Sequence, residues 1–321
     1  MKILSIYPLV SLRKLEELIG RPRKDLRRLA ESAGRFYKPF DMRRIGDSKW
    51  RHIDNPQGEL KNIQRQIQRN ILSTCHLPHT ILGGVSGFTI KDNLEIHLAQ
   101  PNLIRLDLRN CYPNTSHHKI YRVYKENLGC SKQIASLLTK LTTFQRRTPQ
   151  GAHTSTTLVN LTLVPMHNEL QKLAAELDLK ITVWVDDIAI SGKKAFDAIG
   201  PAIAIIKKHG YSVRRKKIEL MRNSSRQTLT GGVLNRKISA GRRGRIEEIR
   251  QRIRSSGPNI SMHELQSIKG SINFVKWLCP EQGAMLKREA KKHLPQVAPI
   301  KHVPPRIETR RCRNASRHKN D

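Results

Sequence analysis

The stretch from residue 181 to 192 constrains the fold of this chain more than any other. It places two adjacent carboxylates, Asp186 and Asp187, between two short runs of β-branched and aromatic residues. This pattern predicts a β-hairpin whose tight turn carries the acids. An ordinary surface turn is the alternative, because Asp tolerates turn geometry and bonds locally to the backbone. The apolar flanks favour a turn held by a buried sheet, where paired acids suit a divalent metal.

A third acid is expected at such a site, because hard cations take oxygen ligands and two metals need a bridging carboxylate. Asp107 is the candidate. It lies in a predicted strand in which Ile104, Leu106 and Leu108 face one side and Asp107 faces the other. A solvated strand face is the alternative for this residue taken alone.

The charge balance indicates the kind of partner. Among 321 residues, Lys and Arg number 60 against 26 acidic residues, a formal net charge of +34. Such a chain is expected to bind a polyanion, most commonly nucleic acid. An acidic membrane surface is disfavoured, because no apolar run reaches transmembrane length and no basic amphipathic helix dominates. The short apolar start does not resemble a signal peptide, so a cytoplasmic location is expected.

Cysteine and histidine spacing gives no support for a zinc site. The five cysteines include no CxxC pair, which predicts free thiols in a reducing compartment. His76, His79 and the pair His117-His118 lack cysteine or carboxylate partners at zinc-binding spacing.

The N-terminal segment, residues 1–35, is predicted to form two short basic helices, the first capped by Ser11. Their outward Arg and Lys side chains are expected to touch nucleic-acid backbone. Residues 36–56 are strand-like, and Lys49 and Arg51 project from one strand face, where they could meet a triphosphate. A solvated basic strand face is the alternative.

Tyr112 follows Asp107 closely enough for its ring to lie beside a metal-bound substrate, with a packed core tyrosine as the alternative. A predicted helical region then ends at a turn, Pro149-Gln150-Gly151, whose bare backbone a ligand can approach at the start of the next helix. Pro165 is predicted to kink or interrupt that helix.

Past residue 241 the sequence predicts helices in which Lys and Arg far outnumber Glu, and the strong basic excess favours nucleic-acid backbone contacts over a solvated helical face. The tail, 295–321, has little to bury and is predicted to be mobile until RNA binds.

The order of these parts resembles the reverse transcriptases of bacterial retrons. An acidic strand, helices, a Pro-Gln-Gly turn, a long helix and an Asp-Asp hairpin follow one another, and the resemblance runs from about Tyr37 to near Leu294. It implies an α+β right-hand polymerase with fingers, a palm of antiparallel sheet plus helices, and a helical thumb. The implied boundaries are fingers 36–103 with part of 117–150, palm 104–240 and thumb 241–294, after the basic segment 1–35 and before the tail 295–321.

The resemblance also implies roles for single residues. Asp107, Asp186 and Asp187 match the catalytic, metal-binding acids. The nucleotide-binding residues expected are Arg51 on the triphosphate with Lys49 beside it, Tyr112 screening the sugar, Gln150 near the nucleotide, and Lys217, with Lys216 as the rival for its role.

Primer and template contacts are implied by three further elements. The hairpin around Leu229-Thr230-Gly231 resembles the retron VTG element of the primer grip, with Leu229 in place of Val, and Asn93 to His97 resembles the NAxxH element, with Leu94 in place of Ala. The residues expected at primer and template are Thr230, Gly231, Gly232, Asn93, His97, Arg242, Arg243 and Arg245. Trp184 stands where the family's Asp-Asp signature usually has Tyr, and His153 where the Pro-Gln-Gly motif usually has a second proline.

The implied activity is RNA-directed DNA synthesis from dNTPs with two Mg²⁺ ions, Mn²⁺ being an alternative. A structured non-coding RNA is the implied template and primer, and an RNA–DNA hybrid is a further implied partner. The implied product is a branched RNA–DNA molecule, and the implied biological role is phage defence with an effector protein. Another defence-associated or group-II-intron-like bacterial reverse transcriptase is the alternative enzyme. A non-catalytic RNA-binding scaffold is the alternative of another class.

Overall fold

The computed structural model describes residues 8–44, 50–256, 260–294 and 307–311. The helices are α1 (Leu12–Ile19), α2 (Arg23–Ser32), α3 (Gly58–Asn70), α4 (Ile90–Ile96), α5 (Cys111–Asn114), α6 (His117–Arg122), α7 (Lys132–Thr142), α8 (Ser155–Glu176), α9 (Ile199–Lys208), α10 (Glu247–Ser255), α11 (Met262–Leu278) and α12 (Pro280–His293). The strands are β1 (Phe40–Arg44), β2 (Arg51–Ile53), β3 (Asn102–Asp107), β4 (Lys180–Trp184), β5 (Asp187–Ser191), β6 (Glu219–Arg222), β7 (Thr228–Leu229), β8 (Gly232–Val233) and β9 (Ile307–Arg311).

A four-stranded antiparallel sheet lies at the centre, in the order β4-β5-β3-β6. The predicted Asp-Asp hairpin is β4–β5, in which Trp184 pairs with Asp187 across a two-residue turn. Both faces of β3 are buried: Ile104 belongs to one hydrophobic cluster and Leu103 to another. The sheet is therefore fixed from both sides, since successive strand residues point to opposite faces.

The larger cluster joins one face of this sheet to the helices of the N-terminal half and to α8 and α9, and the smaller one joins the other face to α10, α11 and α12. The two predicted N-terminal helices are present as α1 and α2. Ser11 caps α1 by accepting a hydrogen bond from the Lys14 amide at 3.4 Å, and Gly20 ends it with φ 70°. The cysteines at 75, 111, 130 and 279 are free thiols, as predicted.

Pro165 was predicted to kink or interrupt helix α8, and the helix is not interrupted. It runs from Ser155 to Glu176 without interruption, with Pro165 inside it. Proline removes one backbone hydrogen bond from a helix interior. The neighbours Val164 and Met166 are buried in the larger cluster, so packing on both sides of the proline keeps the helix continuous.

The segment predicted to be a mobile tail, 295–321, contains one described strand. Residues 307–311 form β9, which pairs antiparallel with β1 over five residues and completes a three-stranded sheet in the order β2-β1-β9. An edge strand presents unpaired N–H and C=O groups that a further strand satisfies. This pairing depends on backbone groups, which the low apolar content of the tail does not reveal. In the described parts of the chain, no helix is long and apolar enough to cross a membrane.

Candidate active site

Three aspartates, two from neighbouring strands and one from the turn beside them, lie at one end of the central sheet. Asp107, the last residue of β3, stands directly opposite Asp187, the first residue of β5. Residues opposite each other in an antiparallel pair have their side chains on the same face. Asp186 occupies the turn before β5, and its carbonyl accepts the amide proton of Leu108 at 2.8 Å.

The charges of these acids oppose one another. Burial, followed by repulsion from Asp186, raises the pKa of Asp187 to about 6. Burial also raises the pKa of Asp186 above its ordinary value, and the negative charge of Asp107 adds to the rise. Both shifts disfavour the ionised carboxylates, so a bound cation would relieve a repulsion that is built into the fold.

Two basic side chains now contact Asp107. Lys217 donates a hydrogen bond from Nζ to Oδ2 at 2.5 Å, and Arg214 places Nε 3.1 Å from Oδ1. Although Arg214 is within ion-pair distance, Oδ1 is buried and accepts no hydrogen bond. Of the two neighbouring lysines, Lys217 contacts Asp107, whereas Lys216 is exposed.

The donor set fits a hard divalent cation, because carboxylate oxygens are the ligands that Mg²⁺ prefers and the buried Oδ1 of Asp107 lacks a hydrogen bond. In the described residues, however, no three His, Cys, Asp or Glu side chains are grouped as a ready metal site. Lys217 and Arg214 supply the positive charge in this conformation. Metal binding would require these two side chains to move.

The segment before α4 supports the turn that carries Asp186. The amides of Leu82 and Gly83 both donate to the carbonyl of Val183, at 2.9 and 3.3 Å. A Cβ on Gly83 would lie 2.5 Å from the amide nitrogen of Val185, so only glycine allows this approach. Val185 itself has φ 59°, an uncommon conformation for a β-branched residue. Strain of this kind is found where surrounding contacts enforce a functional turn.

Tyr112 lies on the short helix that follows Asp107. Its hydroxyl group is 3.0 Å from Oγ1 of Thr156, in the first turn of α8. The methyl group of Thr156 faces Gly84, where a Cβ would collide with it. The bare backbone at Gly84 thus makes room for the methyl group, while the Thr156 hydroxyl meets Tyr112.

The predicted nucleotide-binding residues of the N-terminal half are joined through the backbone. The amide of Asp54, directly after β2, donates to the carbonyl of Gln150 at 2.7 Å. Arg51 is exposed on the same strand. Lys49 lies outside the described residues.

Asn93 and His97 do not fit the predicted contact with primer or template, because both side chains are fully buried. Thr182 on β4 donates to Asn93 Oδ1 at 2.6 Å and lies 2.8 Å from His97 Nε2, while Ser191 on β5 lies 2.6 Å from Nδ1. The single hydroxyl proton of Thr182 is donated to Asn93, so the Thr182 oxygen can only accept a hydrogen bond from His97. His97 therefore donates from Nε2 and accepts at Nδ1. The neutral ring agrees with its pKa, which burial lowers to about 3. These residues tie α4 to the central sheet.

The hairpin β7–β8 has the two-residue turn Thr230-Gly231, with φ 43° and 86°. Asn93 donates from Nδ2 to Thr230 Oγ1 at 3.4 Å, and the buried Gly232 packs against Leu94. The two elements that resemble retron motifs are therefore in contact with each other.

Arg245 is the described member of the predicted arginine group. Its guanidinium lies 4.7 Å above the ring of Phe274 and close to Gly231. The side chains of Arg242 and Arg243 are outside what the structure describes.

Sequence reasoning missed several residues that organise the site: Arg214, Asp54, Arg147, Thr156, Thr182 and Ser191. For Asp54 a signal was available in the sequence, because this aspartate ends a basic strand and directly precedes Asn-Pro. The hydroxyl residues carried none, because Ser and Thr are ordinary residues in strands and at helix starts.

An antiparallel sheet with three carboxylates at one end, helices behind it and a helical C-terminal part define a right-hand polymerase. The sequence profile described as "Reverse transcriptase (RNA-dependent DNA polymerase)" matches residues 42–264. The chain belongs to this family, and the fold class and family predicted from the sequence are confirmed.

The similar curated proteins are reverse transcriptases of retrons. The retron Se72 reverse transcriptase of Salmonella heidelberg (strain 579083-10) is 30% identical over 187 residues, which cover 58% of this chain and 49% of that protein. The retron Ec86 reverse transcriptase of Escherichia coli is 28% identical over 255 residues, 78% of this chain and 79% of that protein. The chain thus spans about half of the first relative and most of the second. A structure of telomerase from Candida albicans, in complex with a telomeric RNA fragment, aligns with a TM-score of 0.45 and 9% identity, covering 83% of this chain and 59% of that one.

Proposed function

We propose that this protein synthesises DNA on a structured RNA template by nucleotidyl transfer at Asp107, Asp186 and Asp187. The observation that carries the proposal is the position of Asp107 directly opposite Asp187, with Asp186 in the adjoining turn. Crowded carboxylates at which burial and mutual repulsion raise the pKa are costly to the fold. A cation that binds between these carboxylates during the reaction would explain why the fold holds them together.

In the proposed reaction, Asp107 and Asp186 are the residues that would hold two Mg²⁺ ions, and Asp187 would lie in or beside the ligand shell. When bound there, divalent metal would supply positive charge to an attacking 3′-hydroxyl group and to a leaving pyrophosphate. Lys217 leaves Asp107 and contacts the incoming nucleotide. Its positive charge then offsets the negative charge of the phosphates.

The nucleotide is positioned by residues from three elements. Arg51 contacts the triphosphate and Gln150 lies beside the nucleotide. The ring of Tyr112, fixed through Thr156, occupies the space that a 2′-hydroxyl group would need. We propose that this steric contact favours dNTPs over ribonucleotides.

The proposed domains follow the predicted boundaries, with fingers 36–103 and part of 117–150, palm 104–240 and thumb 241–294. Asn93 and His97 act indirectly, by holding the hairpin of Thr230 and Gly231 against the central sheet. Arg245 contacts the duplex backbone from the thumb. β9 adds the C-terminal residues 307–311 to the fingers.

Primer extension on an RNA template with Mg²⁺ and dNTPs tests the activity. The wild-type protein is expected to extend the primer, and Asp186→Asn is expected to abolish extension without a loss of thermal stability. Asp178→Asn is the matched control, because Asp178 is exposed and has φ 53°, a conformation that Asn adopts equally well. Full activity of Asp186→Asn would overturn the assignment.

Retron character adds a cognate non-coding RNA, a branched RNA–DNA product and phage defence with an effector protein. The curated relatives are named retron reverse transcriptases, which supports the retron type itself. Sequencing the RNA and DNA that co-purify with the protein tests it: one structured RNA joined to DNA is expected. A mixture of unrelated RNAs without attached DNA would argue for a general RNA-binding protein.

A further inference from the structure

Asp54 is a fully buried carboxylate directly after β2. Arg147 binds it with both terminal nitrogens, Nη1 to Oδ2 at 2.7 Å and Nη2 to Oδ1 at 3.1 Å. The amide of Gln150 donates to Oδ2 at 3.0 Å, and Nε2 of His52 lies 3.1 Å from Oδ1. A bidentate arginine fork fixes a carboxylate in direction as well as in position.

The backbone of Asp54 strengthens the same connection. Its amide donates to the carbonyl of Gln150 at 2.7 Å, so the two residues exchange hydrogen bonds in both directions. Gly151 has φ 112°, and a Cβ there would lie 2.7 Å from Cγ2 of Ile53. The turn and the end of β2 are therefore packed without a gap.

Arg147 carries the connection towards Tyr112. It exchanges backbone hydrogen bonds with Phe144 at 2.9 and 3.0 Å, and the next residue, Thr148, donates its amide to the carbonyl of Thr115 at 2.9 Å. Thr115 follows the short helix of Tyr112 directly. One buried carboxylate thus joins the strand of Arg51, the turn of Gln150 and the segment after Tyr112.

We propose that Asp54 is a positioning residue for the incoming nucleotide. It fixes the distance between Arg51 and Gln150, so that both are already in position to contact one incoming nucleotide. The proposal rests on the nucleotide-binding roles given to these two residues under the proposed function. Asp54 itself, being buried, touches no substrate.

Steady-state kinetics of Asp54→Asn provide the test, since Asn keeps the shape and loses the charge that holds the Arg147 fork. The KM for dNTPs is expected to rise about tenfold, as one charge-assisted contact weakens. The kcat and the affinity for template–primer duplex are expected to stay within about threefold of wild type. Glu169→Gln is the control: Glu169 bridges Lys208 and His209 outside the site, and its loss should leave the KM unchanged.

Arg147→Lys is the second variant, to be used also if Asp54→Asn does not fold. It keeps the positive charge but loses the fork, and a rise in KM of about threefold is expected. The Asp54→Asn change is then repeated in an Arg51→Ala background. If Asp54 acts through Arg51, Asp54→Asn raises the KM by a smaller factor in the Arg51→Ala background than in the wild-type protein.

The outcomes separate the two proposals. The positioning role alone is overturned if the KM rises in Arg51→Ala and Gln150→Ala but is unchanged in Asp54→Asn and Arg147→Lys. Fully additive effects of Asp54→Asn and Arg51→Ala overturn it as well, because a residue with a merely structural role does not couple to the triphosphate contact. Unchanged KM in Arg51→Ala and Gln150→Ala overturns the nucleotide-binding roles and, with them, the positioning role.

Discussion

The ammonium group of Lys217 lies 2.5 Å from Oδ2 of Asp107. A lysine at this place serves as a counter-ion for a carboxylate that faces two further acids. It also competes with any metal for the same oxygen, because a positive charge at this distance opposes the approach of a second cation. Lys217 is thus an internal cation that offsets part of the negative charge of the three acids.

Removal of that internal cation is expected to strengthen metal binding and weaken nucleotide binding. Lys217→Met should lower the Kd for Mn²⁺ in the absence of nucleotide by at least about threefold, since the competing charge is gone. The KM for dNTPs should rise by about tenfold in the same variant. Calorimetry and primer extension measure the two effects. Lys216→Met, at the exposed neighbour, should change neither value, and an equal effect at Lys216 would contradict the assignment.

The crowded acids predict a pH-dependent stability in the absence of metal. Because the pKa of Asp187 is raised from its ordinary 3.8 to about 6, its protonated form stabilises the folded state. This contribution is complete below pH about 4 and is lost as the pH rises through about 6. Asp187→Asn should therefore raise the melting temperature in EDTA at pH 7 by roughly 2–4 °C or more. The gain should shrink towards pH 4, and an equal gain at both pH values would show that the charge of Asp187 is not its cause.

Sugar discrimination is expected to depend on Tyr112 and on its hydrogen bond to Thr156. Tyr112→Ala should raise ribonucleotide incorporation by at least about tenfold, because the side chain that blocks the 2′-hydroxyl group is removed. Thr156→Val removes only the hydrogen bond and should raise it by about two- to fivefold. Thr156→Ser keeps the hydroxyl group and should behave like wild type. Competition between dNTP and rNTP in primer extension measures these ratios, and unchanged discrimination in Tyr112→Ala would refute the role of the ring.

The buried polar network behind the hairpin predicts a stability effect. Thr182→Val leaves the Nε2–H group of His97 and the Oδ1 atom of Asn93 without the hydroxyl that serves both. Each orphaned polar group costs about 1–3 kcal/mol. Denaturant unfolding should show a loss of about 2 kcal/mol or more. Ser271→Ala is the control, since the Ser271 hydroxyl only bonds within its own helix and its removal should cost less than about 0.5 kcal/mol.

Duplex binding through Arg245 predicts a change in salt dependence. If its guanidinium, stacked on Phe274, contacts a phosphate, Arg245→Ala should weaken binding of an RNA–DNA duplex and reduce the slope of log K against log salt by about one. Fluorescence anisotropy over a series of salt concentrations measures the slope. An unchanged slope would place Arg245 away from the phosphates.

The sequence was informative wherever local patterns decide the structure. The hairpin around Asp186, the cap at Ser11 and the amphipathic helices follow from periodicity and residue preference, and they are present. An interruption at Pro165 is absent, because the burial of its neighbours, which depends on the whole fold, keeps the helix continuous. Local preference reports what one segment favours alone, and burial is decided by the segments around it.

The prediction of site residues from the sequence also succeeded where a local pattern decides and failed where burial decides. The approach of Asp107 to Asp187 followed from the pattern of one strand and one hairpin, while Asn93 and His97 were assigned to primer or template contacts although both side chains are fully buried. A polar residue in a short motif carries no sign of whether it faces solvent or other side chains. Asp54 shows the converse, since its importance comes from Arg147, 93 positions away along the chain.

Strand β9 has a consequence for the order in which the protein matures. Its partner β1 leaves the ribosome before any strand of the central sheet, whereas residues 307–311 emerge only after α10, α11 and α12. The sheet that contains Arg51 therefore waits for the synthesis of all these elements before its last ladder of hydrogen bonds can form. A nascent chain that is stalled or cut short after α12 would keep Asp107, Asp186 and Asp187 and lack the finished edge of this sheet.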